Sequence, residues 1–274
     1  PRSTLDRSSA ASDVYKRQAL DTTQLSPDQL AEAEHELRVQ LAGAYRLVDY
    51  FGWCELIYGH LTAHVPGPEP HFLINPYGLN YDEVTASNLV KIDLDGKVVE
   101  PTEHPVNEAG FIIHSAIHMQ TGTDNRVVMH THSRSGMAVA ALKAGLLPIS
   151  MGATIFFDQL AYHEYEGPSL YLDERERLQA SLGDKKALIL KNHGLVTVGA
   201  TVAEAFLRLY RLERACQTQL DAAAAGELNL LDDEVARKSG RDVNRFMESS
   251  EDYGELEFAA LLRKIDRIDD SYRH

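Results

Sequence analysis

Two histidines one residue apart, His130 and His132, lie in VVMHTHSRSG, and a third, His193, lies in ALILKNHGLVTVG. The residues ahead of the pair are apolar and β-branched, which predicts a short buried strand. Side chains alternate faces along a strand, so His130 and His132 point the same way, about 7 Å apart along the chain. Two imidazoles so placed can grip one metal ion from one side. His193 ends a second apolar strand beside Gly194, a natural position for a third ligand. Three neutral imidazoles that leave a fourth position open make a catalytic rather than a structural zinc site. The bland alternative is a strand-end pair that is simply hydrogen-bonded. The chain has 12 histidines, so an H-x-H pair can arise by chance, and no local spacing rule ties His193 to it.

The elements that must position these residues follow from pattern. Ser26-Pro27 opens a helix, with Ser26 as N-cap and an apolar stripe of Leu30, Leu37, Leu41, Tyr45 and Val48 that ends near Gly52. Short segments with turn punctuation follow, among them LVKIDLDGKVVE, where Asp95-Gly96 signals a hairpin. Asn107 to Gln120 read as a helix, VVMHTH as a strand and SRSGMAVAALKAG as a small-residue helix behind it. ISMGATIFF reads as a strand, Asp173 to Leu182 as a helix, ALILKNHGLVTVG as two short strands, and Val202 to Ala225 as a long helix. After Gly226 the chain is polar, with amphipathic helix character across Glu255 to Ile268. Hairpins mixed with crossover helices predict a three-layer α/β/α domain rather than a barrel.

A chain of 274 residues with 44% hydrophobic and 25% charged residues suits one large globular domain with extensions. A formal net charge of -14 argues against a nucleic-acid or anionic-membrane surface. It still admits an anionic small molecule beside a metal, which is a large local positive charge. No apolar run approaches the ~20 residues that span a bilayer, and the N-terminal stretch lacks a signal-peptide pattern. Cys54 and Cys216 lack motif spacing, which argues against a disulfide framework; together these features point to the cytoplasm. Residues 1–18 have no hydrophobic period, and Asp13 to Gln18 match what the end of a transposon-based sequencing adapter encodes in frame. This segment is set apart as non-native or disordered. The domain is expected over 26–226, with a helical extension over 227–274.

Read together, WCELIYGHLTAHV, FLINPYGLNYDEVTASNLVKIDLDGKVV, NEAGFIIHSAIH, VVMHTHSRSGMAVAALKAGLLPIS, AYHEYEG and LILKNHGLVTVGATVAEAF resemble the class II aldolase/adducin family, in order from Leu30 to Ala225. The phrases INPYGLNYDEVTASNLVKI and LKAGLLPIS look closest to the adducin head and its bacterial relatives. The resemblance implies a central, mainly antiparallel sheet between helices and a homotetramer with active sites at subunit interfaces. It also implies Zn2+ or another divalent metal on His130, His132 and His193, and an acid/base carboxylate at Glu108 in HPVNEAGF. A metal and a mobile carboxylate suit a lyase that breaks a C–C bond next to a carbonyl, by aldol cleavage or decarboxylation through a stabilised enolate.

Glu108 divides two function classes, because the resemblance puts glutamine at this position in animal adducin heads, which are structural. A non-catalytic, adducin-like assembly module is therefore the alternative. Taken alone, Glu108 could be no more than a favourable acid at a helix start. The family's sugar-phosphate aldolases hold phosphate with a Gly-Asn pair and a Ser-Ser ahead of the glutamate. Here those places read Gly59-His60 and Val106-Asn107, so a small, non-phosphorylated carbonyl or hydroxy-acid substrate is expected, with His60 and Asn107 near it. The family's interface tyrosine falls on His163 or an adjacent tyrosine, Tyr162 or Tyr165, any of which could instead pack an interface. Arg134 near a helix start could face an anionic substrate or be a surface charge. Of the i, i+4 pair His114 and His118, one is expected to face the cavity and one the surface. Lys191 and Asn192 are expected to satisfy strand-end backbone groups.

Overall fold

The computed structural model describes residues 25–120, 124–167, 171–248 and 253–274, without the side chains of residues 108, 109 and 248. The segment 1–18 lies outside the described residues. Strands β1 (His60–His64), β2 (Phe72–Ile74), β3 (Val90–Ile92), β4 (Val127–Thr131), β5 (Leu160–His163), β6 (Ala187–Leu190) and β7 (Gly194–Gly199) form one sheet in the order β3-β2-β1-β4-β7-β6-β5. Every neighbouring pair is antiparallel except β5 with β6. The expected three-layer α/β/α architecture with a mainly antiparallel sheet is the one observed.

Strand alternation builds the layers. Leu61, Ala63, Val127, Met129, Ile189 and Leu195 face one side and pack with helices α1 (Pro27–Tyr50), α6 (Val202–Ala225) and α8 (Glu255–Asp266). Val128, Leu188, Leu190, Val196 and Val198 face the other and pack with α2 (Glu108–His118) and α5 (Glu174–Leu182). On that second face β1 and β4 present His60, Thr62 and His130, each buried. Most buried polar groups are hydrogen-bonded, and the partners of these three make the site.

Helix starts follow the sequence. The Ser26 hydroxyl accepts from the Gln29 N–H at 3.3 Å, and the Gln29 side chain accepts from the Ser26 N–H at 2.9 Å, a reciprocal capping box. Thr201 caps α6 through the Glu204 N–H at 3.1 Å. From α1 the Tyr45 hydroxyl donates to the Leu61 carbonyl at 2.6 Å and accepts from the Leu61 N–H at 2.7 Å, tying the helix to the strand that carries His60. Tyr45→Phe strands these buried main-chain groups and should cost about 1–3 kcal/mol in urea unfolding; an unchanged midpoint would show that β1 relaxes around the loss.

One segment departs from expectation, and another expected only as part of a helical extension takes a definite place. ISMGATIFF forms no strand: helix α4 (Met151–Thr154) occupies it, because the Ser150 hydroxyl caps the Ala153 N–H at 3.2 Å and small residues turn easily. Helix α7 (Asp233–Glu248) lies in the polar tail. It docks through Ala236 and Gly240, where a methyl on Gly240 would collide with the Thr154 carbonyl. Ala236, Gly240, Val243 and Met247, three or four residues apart, share the docked face. The Asp95-Gly96 turn forms, with Gly96 at φ 80, but its return arm is reduced to one bridge between Ile92 and Val98.

Candidate metal centre

β4 sits between β1 and β7, so His130 lies opposite His60 on one side and Val196 on the other. His132 lies one residue past the strand, and His193 sits in the turn between β6 and β7. That turn runs close to the end of β4: a methyl on Gly194 would stand 2.5 Å from the Thr131 carbonyl. The structure therefore brings together three histidines from two distant segments. His130 Nε2 is 2.9 Å from His132 Nε2, which is 3.0 Å from His193 Nε2.

The outward nitrogens decide what can sit between the inward ones. His130 Nδ1 is 3.0 Å from the Leu195 carbonyl, and His132 Nδ1 is 3.0 Å from Glu55 Oε2. A carbonyl and a carboxylate only accept, so both Nδ1 atoms carry the proton and both Nε2 atoms present lone pairs. Lone pairs converging at 2.9 Å need a shared positive charge. Protonation is disfavoured: burial and the neighbouring His193 and His132 hold His130 well below the ordinary imidazole range, and burial with His132 brings His193 to about 4. A divalent cation fits this donor set of three neutral imidazoles, two of them, His130 and His132, oriented from behind as metal-binding histidines usually are.

Glu55 was not marked by the sequence. It lies in a turn closed by the Tyr58 N–H to the Glu55 carbonyl at 2.9 Å, with Leu56 at φ 52. A single acid in an irregular segment has no periodic signal; only the fold shows that the turn before β1 arrives behind His132.

His60 and Asn107, both expected near the substrate, meet each other. Asn107 Nδ2 is 3.3 Å from His60 Nε2, so the amide donates and the ring accepts. The His60 ring lies 5.7 Å from that of His130, and a methyl on Gly110 in α2 would overlap it. Glu108 is the first residue of α2; its side chain lies outside the described residues. Arg134 begins helix α3 (Arg134–Ala140) and is exposed two residues after His132.

The remaining expectations fall elsewhere. β5 is separated from β4 by β6 and β7, roughly 14 Å at ordinary strand spacing. There His163 is buried, with Nδ1 2.9 Å from the Ser181 hydroxyl, and the Tyr162 hydroxyl accepts from the Leu146 N–H at 3.0 Å. Tyr165 is exposed. The Lys191 N–H satisfies a strand end, the His163 carbonyl of β5 at 2.9 Å, whereas the Asn192 N–H bonds a helix-end carbonyl, that of Ala140, at 3.0 Å.

His114 and His118 do not divide between cavity and surface. Residues four apart share a helix face, and both rings reach the Thr62 hydroxyl of β1, at 2.6 and 2.7 Å. Burial with the neighbouring His64 charge brings His118 to about 3, and burial with His132 and His193 brings His60 to about 3. Unfolded chain would bind these protons near pH 6.5, so each group stabilises the metal-free fold fully above that pH. The contribution is lost as pH falls from 6.5 toward about 3, at about 1.4 kcal/mol per pH unit per group. Urea midpoints of metal-free protein should therefore drop steadily between about pH 6.5 and about pH 4; a flat profile would contradict neutral burial.

A layered α/β protein whose central strands converge three imidazoles on one point is a defined class. A family model described as Class II Aldolase and Adducin N-terminal domain matches residues 39–220, and the chain belongs to that family. An aldolase II superfamily protein from Pseudomonas syringae superimposes with a TM-score of 0.84 at 46% identity, covering 92% of this chain and 98% of that one. An L-fuculose 1-phosphate aldolase from Glaciozyma antarctica PI12 does so with a TM-score of 0.78 at 28% identity, covering 95% and 98%. The chain is also 42% identical over 252 residues to alpha-adducin of Rattus norvegicus, covering 86% of this chain but 34% of that protein.

Proposed function

We propose that the chain is a divalent-metal-dependent lyase acting on a small, non-phosphorylated carbonyl or hydroxy-acid substrate. The observation that carries this reading is the convergence of the His130, His132 and His193 Nε2 atoms with both fixed tautomers pointing lone pairs inward. Bound by these three residues, zinc or a similar cation supplies a Lewis acid that stabilises negative charge on a substrate carbonyl oxygen while the adjacent C–C bond breaks. Glu108, at the start of α2, is assigned the proton transfer to or from the carbanionic carbon. His60 and Asn107 close the place where a phosphate would sit, and Arg134 offers a guanidinium to a substrate carboxylate.

We assign the loop AYHEYEG to the site of a neighbouring subunit in a homotetramer, as the family resemblance implies. Tyr162 and Tyr165 are exposed and can serve there, whereas His163 is held inside by Ser181. We take residues 26–226 as the catalytic domain and 227–274 as its helical extension. The free cysteines Cys54 and Cys216 suit a cytoplasmic enzyme.

Purified protein should lose turnover of a non-phosphorylated hydroxy-acid and hydroxy-ketone panel on chelation and regain it with zinc. Efficient cleavage of sugar phosphates alone would overturn the substrate assignment. The likeness to alpha-adducin favours a second reading, an assembly module without catalysis. Purified protein carrying no divalent metal would support that reading instead.

A further inference from the structure

Among the three imidazoles, His132 has the least main-chain support. His130 is held in β4 by ladders on both sides, and the His193 N–H bonds the Leu190 carbonyl at 3.0 Å. His132 lies beyond the last paired residue of β4 and leads directly into Ser133, the N-cap of α3. What fixes that junction comes from the other side of the sheet. Glu213, midway along α6, has 0% exposure, and its carboxylate accepts two hydroxyls, one on each oxygen. Ser133 donates to Oε1, and Ser135 donates to Oε2 at 2.6 Å.

The pairing of groups is complete. A hydroxyl has one proton and two lone pairs, so Ser133 gives its proton to Glu213 and keeps a lone pair for the Gly136 N–H at 3.0 Å. The junction also has no slack: a methyl on Gly136 would stand 2.7 Å from both Ser133 Oγ and Leu195 Cγ. With Ser133 and Ser135 both drawn inward, Arg134 between them is left exposed beside His132. We propose that Glu213 is a positioning residue, which through the Ser133 and Ser135 hydroxyls sets the direction in which His132 and Arg134 leave β4. The functional consequence rests on the reading of His132 as a metal ligand; the positioning itself does not.

Full-length Glu213→Gln protein tests this, because an amide keeps the volume but accepts at one end only. Ser135→Ala is the milder companion, since it removes one hydroxyl and leaves the α3 cap intact. Glu204→Gln, on the same helix but bonded to Arg208 and the Ala200 N–H, is the stability control. Zinc affinity by chelator competition should fall tenfold or more in Glu213→Gln, the usual range for groups behind a metal ligand. In metal-free, 15N-histidine-labelled protein the His132 imidazole signals should move and those of His64 should not. Ser135→Ala should shift both readouts in the same direction by less, and remains the deciding variant if Glu213→Gln does not fold. Glu204→Gln should lower the melting temperature alone. Wild-type zinc affinity with unmoved His132 signals in Glu213→Gln would overturn the proposal, as would equal changes in Glu204→Gln. If the wild type takes up no zinc, the metal reading fails, and the imidazole signals of the metal-free proteins still decide the role of Glu213.

Discussion

Replacing His130 and His132 together with alanine should take bound divalent metal from about one ion per chain to background and turnover below detection. The argument is one of donor count. The three ligand atoms lie within 4.8 Å of one another, and the double variant leaves only the one on His193. A single imidazole holds zinc weakly at neutral pH, and the open position that a substrate oxygen would use no longer belongs to a defined site. The fold should survive, because the two main apolar clusters are built from other residues. His130 is fully buried, so the variant also leaves a cavity and should melt lower than the wild type. Retained stoichiometric zinc in the double variant would sink the ligand assignment.

Glu108→Gln should split the two readouts: metal kept, turnover reduced about 10²–10⁴-fold, the usual contribution of a positioned acid/base group. Glutamine preserves the length and shape of the side chain but cannot take a proton. A loss in kcat with metal content unchanged would separate proton transfer from metal binding. The same variant divides the two functional readings, since an assembly module has no use for a titrating group at this position. Unchanged kcat would move the acid/base role to another residue, with Tyr162 of a neighbouring subunit the first to examine.

What could be read in the sequence was what has local period or local chemistry. The Ser26 cap, the α1 stripe, the two strands of ALILKNHGLVTVG and the shared facing of His130 and His132 all follow from spacings of a few residues. The layered architecture followed from the same patterns and the family resemblance together. Long-range pairings were not legible. Nothing near Glu55 says that it will stand behind His132, 77 positions away. Nor do the two departures from the phosphate-binding pattern announce that His60 and Asn107 hydrogen-bond each other. ISMGATIFF has the apolar run of a strand, but the Ser150 cap and the small residues Gly152 and Ala153 turn it into a helix. Helix α7 falls within the helical extension expected over 227–274, but where it docks, with Gly240 against the Thr154 carbonyl, is a long-range contact with no local signal.

The central claim is that His130, His132 and His193 together hold a catalytic divalent cation. X-ray absorption at the metal edge of the purified full-length protein tests it most directly. The account predicts three imidazole nitrogens at about 2.0–2.1 Å with a light oxygen donor completing the shell, and a drop in imidazole count in His193→Ala. A metal-free protein, or a metal shell dominated by sulfur or indifferent to His193→Ala, would contradict it.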